Sequence, residues 1–74
     1  MKIKVRLFAT LRENRGKELE LELIEGLSVL KVLSMLDIRK KDVAILLVNG
    51  RDGSADHIVV DGDVLSLFPP VGGG

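Results

Sequence analysis

Lys2-Ile3-Lys4-Val5-Arg6-Leu7 alternates charged and apolar residues, and Glu18-Leu19-Glu20-Leu21-Glu22 repeats the alternation with the opposite charge. A period of two places the charged side chains on one face of a strand and the apolar ones on the other. Antiparallel pairing of the two stretches sets a row of cations against a row of carboxylates, each pair contributing about 0.2–1 kcal/mol. A slip of one residue would break these pairs. The sequence therefore predicts a first β-hairpin with a defined register, joined by residues 9–16.

One helix follows this hairpin in the predicted order of elements. Ser28 is a good N-cap, because its hydroxyl can accept a hydrogen bond from an unpaired N–H of the first helical turn. Leu27 and Val32 stand at the spacing of a hydrophobic staple around it. The helical spacing of apolar residues predicts a buried face made of Val29, Leu30, Val32, Leu33 and Leu36.

The second half of the chain is predicted to return to the sheet. Val43–Val48 is a continuous apolar run that stops at Asn49-Gly50, a pattern typical of a largely buried strand. Arg51–Ser54 has the residue types of a turn. Residues 55–60 are predicted to form a short edge strand, and Asp61-Gly62-Asp63 a tight turn before the last strand.

Val64–Phe68 is the predicted last strand, and Pro69-Pro70 ends it because proline has no N–H to donate to a sheet. A single helix can cover only one face of one sheet. The order β, β, α, β, short β, β therefore predicts an α+β fold of the β-grasp (ubiquitin-like) type. We expect a mixed four- to five-stranded sheet with one helix packed on one face, and the first and last strands parallel in its centre. Residues 1–68 are predicted to form this domain and residues 69–74 a flexible tail.

The composition argues against several classes of function. Eleven basic and eleven acidic residues cancel, which gives no electrostatic case for binding nucleic acid or an anionic membrane. The chain has no cysteine, and its one histidine, His57, is predicted to be solvated or on an edge strand rather than a metal ligand. No nucleophile stands near a plausible base, so we do not expect an enzyme that acts alone. Since no segment reads as a signal peptide or membrane span, the expected location is the cytoplasm.

The sequence ends in Phe68-Pro69-Pro70-Val71-Gly72-Gly73-Gly74. Glycine has no Cβ to clash in a narrow channel, and the proline pair stiffens the chain that leads to it. Extended, the part from Pro69 onward would span roughly 20 Å, at about 3.3 Å per residue. The pattern predicts a thin, uncharged segment that carries a carboxylate away from the domain. A glycine-rich terminus is also typical of a disordered end with no function.

Four segments together resemble a known family. They are Val5–Arg12 in the first strand and loop, Asn49-Gly50, Asp61-Gly62-Asp63, and Leu67–Gly74. Over its whole length the chain is similar to the MoaD/ThiS family of ubiquitin-like sulfur-carrier proteins. Phe-Pro-Pro-Val before the terminal glycines looks more like MoaD, the small subunit of molybdopterin synthase, than like ThiS. The third glycine, Gly72, and a short segment between helix and third strand depart from the usual MoaD pattern.

The resemblance implies a mechanism for the C-terminal segment. In this family an E1-like adenylyltransferase (MoeB/ThiF type) adenylates the terminal glycine carboxylate with ATP, and the product is converted to a thiocarboxylate that donates sulfur. The residue so modified would be Gly74; the chain would bind no cofactor, and ATP would be used by the partner enzyme. A further implied partner is the sulfur acceptor, for MoaD the large subunit of molybdopterin synthase. The implied partner-binding residues are Gly73, Gly72, Val71, Pro70, Pro69, Phe68 and Phe8.

The sequence leaves three functions open. The first is a sulfur carrier, with molybdopterin (molybdenum or tungsten cofactor) biosynthesis as the leading pathway and thiamine synthesis as another. The second is a ubiquitin-like modifier that is conjugated through Gly74 to lysines of other proteins, since the same activated carboxylate serves both reactions. The third is a binding module with a disordered tail. For Phe8 the alternative to a partner contact is packing in the core.

Overall fold

The first hairpin forms in the predicted register. In the computed structural model, which describes residues 1–70, β1 (Lys2–Leu7) pairs antiparallel with β2 (Glu18–Glu22). The charged side chains of both strands lie on the same exposed face, with Arg6 Nε 3.7 Å from Glu18 Oε1. The residues placed opposite each other are Lys2 and Glu22, Lys4 and Glu20, and Arg6 and Glu18.

The sheet has the mixed topology that the sequence predicted. β3 (Ile45–Val48), β4 (Arg51–Asp52) and β5 (Val64–Phe68) join the first hairpin in the order β2-β1-β5-β3-β4. β5 runs parallel to β1 and antiparallel to β3, so the first and last strands lie side by side within the sheet. The helix α1 (Val29–Met35) connects the first hairpin to the rest. Short 3-10 turns occupy Ala9–Arg12 and Lys40–Asp42. Within residues 1–70 this is the β-grasp arrangement.

The helix begins where the sequence placed its cap. Ser28 Oγ accepts a hydrogen bond from the Lys31 N–H at 3.2 Å. The prediction that Leu30 belongs to the buried face was wrong, because Leu30 is 46% exposed. No helix in residues 1–70 is long and apolar enough to cross a membrane. The buried apolar residues between helix and sheet are Ile3, Val5, Leu7, Leu11, Leu23, Val29, Val32, Leu33, Ile38, Val59, Leu65 and Leu67.

The segment before β5 differs from its prediction. Residues 55–60 form no strand and make only an isolated bridge between Ile58 and Ser28. Two of their carbonyls accept hydrogen bonds from the start of the helix: His57 O from the Val29 N–H at 2.8 Å and Ala55 O from the Leu30 N–H at 3.0 Å. The first N–H groups of any helix have no acceptor within the helix. This loop supplies those acceptors, and its backbone is therefore used for the helix rather than the sheet.

The β3–β4 connection is tighter than the sequence suggested. Asn49 and Gly50 make the turn, with φ of +54° and +82°, and this two-residue geometry suits Asn-Gly. Arg51–Asp52, predicted as part of a turn, forms β4 instead. The apolar run before the turn is also less buried than expected: β3 begins at Ile45, which is 50% exposed. One helix covers one face of the sheet, so the other face of β3 stays open to solvent.

Candidate partner-binding site at the end of the last strand

The central strand β5 is held on both sides up to its last residue. Leu67 O accepts a hydrogen bond from the Phe8 N–H at 3.2 Å, and Phe68 O accepts one from the Ala44 N–H at 2.8 Å. Pro69 and Pro70 have no N–H, so the ladder cannot continue through them. Pro69 is half-buried and Pro70 is exposed. The chain therefore leaves the sheet from the end of a central strand whose position is fixed by both neighbours.

Two aromatic rings mark this point. The rings of Phe8 and Phe68 stack with centroids 4.2 Å apart and planes 10° from parallel. Both residues are half-buried and neither belongs to the buried core. Ala9 has φ of +53°, so the chain turns away directly after Phe8. A stacked pair contributes about 0.5–1.5 kcal/mol beyond the area it buries. Phe8 thus packs against Phe68 and not in the buried core, which was the alternative for this residue.

The stack continues into an apolar area on the open face of the sheet. Ile45 lies directly opposite Phe68 in the β3–β5 register, so their side chains share a face. That face is the open one, because the neighbouring β5 residue Leu67 points into the core and is fully buried. We call Phe8, Phe68 and Ile45 the open-face patch. Sequence reasoning missed Ile45, since a continuous apolar run hides which side chains face the helix.

A buried carboxylate fixes the other end of β5. Asp63 is 4% exposed. Its Oδ1 accepts a hydrogen bond from Asn49 Nδ2 at 2.9 Å, and its Oδ2 contacts the Val60 N–H at 2.9 Å and His57 Nε2 at 3.0 Å. Asn49 Oδ1 accepts in turn from the Val64 N–H at 2.9 Å. These bonds join the β3–β4 turn, the 54–62 loop and the first residue of β5.

The environment of Asp63 also decides its charge. Burial raises the pKa of Asp63, but the hydrogen bonds from His57, the Val60 N–H and Asn49 lower it, and the net pKa lies below the ordinary 3.8. The carboxylate is thus ionised in the folded protein at neutral pH. The sequence had suggested only a turn-forming role for Asp63 and a solvated or edge-strand His57. His57 is instead half-buried and contacts Asp63, and the spacing of these two residues in the sequence does not predict that contact.

The described residues hold only part of the set predicted from the sequence. Phe8 and Phe68 are brought together, and Pro69 and Pro70 follow them directly. Val71, Gly72, Gly73 and Gly74 lie outside the described residues. In residues 1–70 no group of three or more His, Cys, Asp or Glu side chains could hold a metal ion, and no buried side-chain N or O lacks a hydrogen-bond partner.

The family model described as "ThiS family" matches residues 5–74, nearly the whole chain. The chain belongs to the ThiS family. This confirms the resemblance to MoaD/ThiS ubiquitin-like sulfur carriers that the sequence motifs indicated. No curated protein matches the chain.

Solved structures agree with this assignment over the full length of the domain. A putative molybdopterin converting factor, subunit 1, from Pyrococcus furiosus is 34% identical with a TM-score of 0.79, covering 96% of this chain and 99% of that one. Small archaeal modifier protein 1 from Haloferax volcanii is 25% identical with a TM-score of 0.80, covering 95% and 98%. A chain in the complex of subunits 1 and 2 of the molybdopterin-converting factor from Helicobacter pylori matches at 22% identity and a TM-score of 0.64, covering 100% of this chain and 100% of that one. At that identity the last match shows the fold alone.

Proposed function

We propose that this ThiS-family protein is a sulfur carrier whose Gly74 carboxylate is adenylated by an E1-like enzyme and then converted to a thiocarboxylate. The single observation that carries the proposal is the family match, which extends through the terminal glycines to residue 74. The described structure supports it, because β5 is the central strand of the sheet and ends at Phe68, shortly before the terminal segment. The carrier supplies the reacting carboxylate, and the partner enzyme supplies the catalytic groups and ATP.

The proposed chemistry has two steps. A carboxylate oxygen of Gly74 attacks the α-phosphorus of ATP, and pyrophosphate leaves, which gives an acyl adenylate. A hydrosulfide ion (HS⁻) then attacks the carbonyl carbon, its proton is lost to solvent and AMP leaves, which gives the thiocarboxylate. Activation is needed because a carboxylate is a poor electrophile until one oxygen becomes part of a good leaving group. Glycines suit the first step, since they let the backbone pass close to the walls of a nucleotide site.

The open-face patch is the proposed docking surface for the activating enzyme. Apolar residues at the centre of a protein interface lose contact with water on binding, and aromatic residues are enriched there. Phe8 and Phe68 are paired to each other rather than to the core, so a partner can cover both without disturbing the fold. A partner that docks here also lies beside Pro69, where the chain begins its path toward Gly74.

The proposed pathway is molybdopterin biosynthesis. It is supported by the 34% identity to a putative subunit 1 of molybdopterin converting factor, which matches this chain along nearly all of both sequences. In the Helicobacter pylori complex, subunit 1 is bound to subunit 2. By analogy we propose that the sulfur acceptor of this chain is a large subunit of that type, with this chain as its small subunit.

Mass spectrometry of the intact protein tests the proposal. The chain is incubated with its cognate activating enzyme, ATP and a sulfide donor, and its mass is compared with that of a sample without ATP. We expect a mass gain that corresponds to the replacement of one oxygen by sulfur, located on the C-terminal peptide. An unchanged mass in the sample that contains the enzyme, ATP and the sulfide donor would overturn the proposal.

A protein modifier is the second candidate, and one observation favours it. Small archaeal modifier protein 1 matches this chain at a TM-score of 0.80 over 95% of its length. Both functions begin with the same acyl adenylate and differ in the nucleophile that follows. Digestion of proteins from cells that express a tagged form distinguishes them. Lysine peptides that carry a C-terminal remnant of this chain support the modifier, and their absence together with the sulfur mass gain supports the carrier.

A further inference from the structure

An open groove of about 420 Å³ lies beside the open-face patch. Phe8 belongs to both, and the groove extends from its ring toward the loop that joins β1 to β2. The residues that line it are Arg6, Leu7, Phe8, Arg12, Lys17 and Glu18. Three of these residues are cationic and one is anionic, whereas the whole chain has a net charge of zero. The three cations and one anion of the groove thus give it a formal charge of +2, although the chain as a whole is neutral.

Two of the three cations have no carboxylate partner among residues 1–70. Glu18 is partnered by Arg6 at 3.7 Å. Within residues 1–70, neither Arg12 nor Lys17 has a carboxylate oxygen closer than 4.0 Å. Two charges therefore remain available to an anion from outside the chain.

Arg12 is also held in place before any ligand arrives. Its Nε donates a hydrogen bond to Leu7 O at 2.8 Å, and its guanidinium carbon lies 5.5 Å from the centroid of the Phe8 ring. Among the described residues its two terminal amino groups have no hydrogen-bond acceptor. A guanidinium fixed through Nε still presents a planar pair of donors, which matches the two oxygens of a carboxylate.

We infer that this groove binds an acidic segment of the activating enzyme, next to the apolar contact made by Phe8 and Phe68. The inference rests on the proposed function, since it names the chemistry of the partner surface that this function requires. Interfaces commonly surround an apolar centre with a polar rim, and complementary charge at the rim speeds association. A protein that covers the open-face patch reaches the groove directly, because Phe8 is common to both. The groove thereby fixes the orientation in which the C-terminal segment enters the enzyme.

Kinetics of ATP–pyrophosphate exchange with the cognate activating enzyme test the inference. The concentration of the carrier is varied at low and at high salt for the full chain and for Lys17→Glu. Lys17 is exposed and only its backbone oxygen takes part in a described hydrogen bond, so the fold does not depend on its side chain. We expect the KM for the carrier to rise about tenfold at low salt with kcat unchanged, because rim charges act mainly on association. Lys17→Arg should restore the wild-type KM.

The matched control is Lys31→Glu on the helix. It changes the net charge by the same amount, lies on the layer that covers the opposite face of the sheet, and places a glutamate three residues after the Ser28 cap, where it is favourable. A KM for Lys17→Glu no higher than that of Lys31→Glu would overturn the inference. So would a rise in the KM for ATP alone, which would indicate that the groove takes nucleotide phosphate. Exchange with the unaltered chain tests the proposed function separately. If the unaltered chain supports no exchange, the proposed function fails. If it supports exchange but Lys17→Glu and Lys31→Glu have the same KM, only the inference of an acidic segment fails.

Discussion

The rings of Phe8 and Phe68 stack on each other, with centroids 4.2 Å apart and planes 10° from parallel, although the two residues belong to opposite ends of the sequence. Parallel pairing of β1 with β5 brings the ends of both strands to the same edge of the sheet. The stack therefore marks the place where the chain leaves the domain. Its position links the fold to the proposed activation of Gly74.

Replacement of Phe68 by Glu should weaken association with the activating enzyme more than it weakens the fold. The residue is half-buried and stacks on Phe8, so we expect the free energy of unfolding to fall by about 1–2 kcal/mol. The KM for the carrier in ATP–pyrophosphate exchange should rise at least about tenfold. Urea unfolding and exchange kinetics measure the two effects.

Two variants calibrate this result. Ile24→Glu puts the same charge at a residue that is 76% exposed and outside the patch, and it should change neither quantity. Leu67→Ala removes a fully buried side chain and should cost about 2–5 kcal/mol. If Phe68→Glu destabilised the domain as much as Leu67→Ala while leaving the KM unchanged, Phe68 would be a core residue and not a docking residue.

Deletion of Gly74, or addition of one residue after it, should abolish adenylation without affecting the domain. The core described for residues 1–70 is built from residues between Met1 and Leu67, so we expect the domain to fold without the terminal glycine. Circular dichroism and the thermal midpoint should match those of the unaltered chain, while ATP–pyrophosphate exchange falls to background. Exchange at the normal rate in either variant would contradict the assignment of Gly74 as the reacting residue.

The Asp63 carboxylate should make the stability depend on pH in the acid range. Its pKa in the folded protein lies below the ordinary 3.8, so its contribution is fully present above 3.8 and is lost as the pH falls through the folded pKa. Asp63→Asn should lower the free energy of unfolding at pH 7 by about 1.5–3 kcal/mol, the range for hydrogen bonds to a charged group. Urea unfolding between pH 7 and strongly acidic pH follows the difference.

The comparison needs the same measurement on a second carboxylate. Asp61→Asn is the control, because Asp61 is exposed and its Oδ1 accepts one bond from the Lys2 N–H at 2.7 Å. It should have the smaller effect. A gap between the unaltered chain and Asp63→Asn that stayed constant down to acidic pH would show that protonation of Asp63 does not govern the acid loss of stability.

Ser28→Ala should lower the free energy of unfolding by about 0.5–2 kcal/mol, because it removes the acceptor for the Lys31 N–H. Ser34→Ala, at an exposed position within the same helix, should be neutral or slightly stabilising. Both should keep wild-type exchange kinetics. A Ser28 effect no larger than the Ser34 effect would mean that the loop carbonyls of Ala55 and His57 already supply the capping that matters.

The sequence by itself determined the elements whose signals are local. Alternation predicted β1 and β2 with their register, Ser28 predicted the start of the helix, and the proline pair predicted the end of the last strand. These predictions succeeded because each rests on neighbouring residues: strand parity, a cap reaching three residues along the chain, or a missing N–H. The family motifs are local in the same sense, which is why the resemblance to the MoaD/ThiS family could be read from the sequence.

Only the tertiary structure decided the features that join distant parts of the chain. Residues 55–60 were predicted to form an edge strand, but two of their carbonyls accept hydrogen bonds from N–H groups at the start of the helix. Ile45 is exposed because one helix shields one face of the sheet. Asp63 is a buried, hydrogen-bonded carboxylate because the fold brings Asn49 and His57 to it. The cationic groove exists because Arg12 and Lys17 both lie near the end of β1. In each case the partner of a polar or apolar group is chosen by packing across the domain, and sequence spacing does not carry that information.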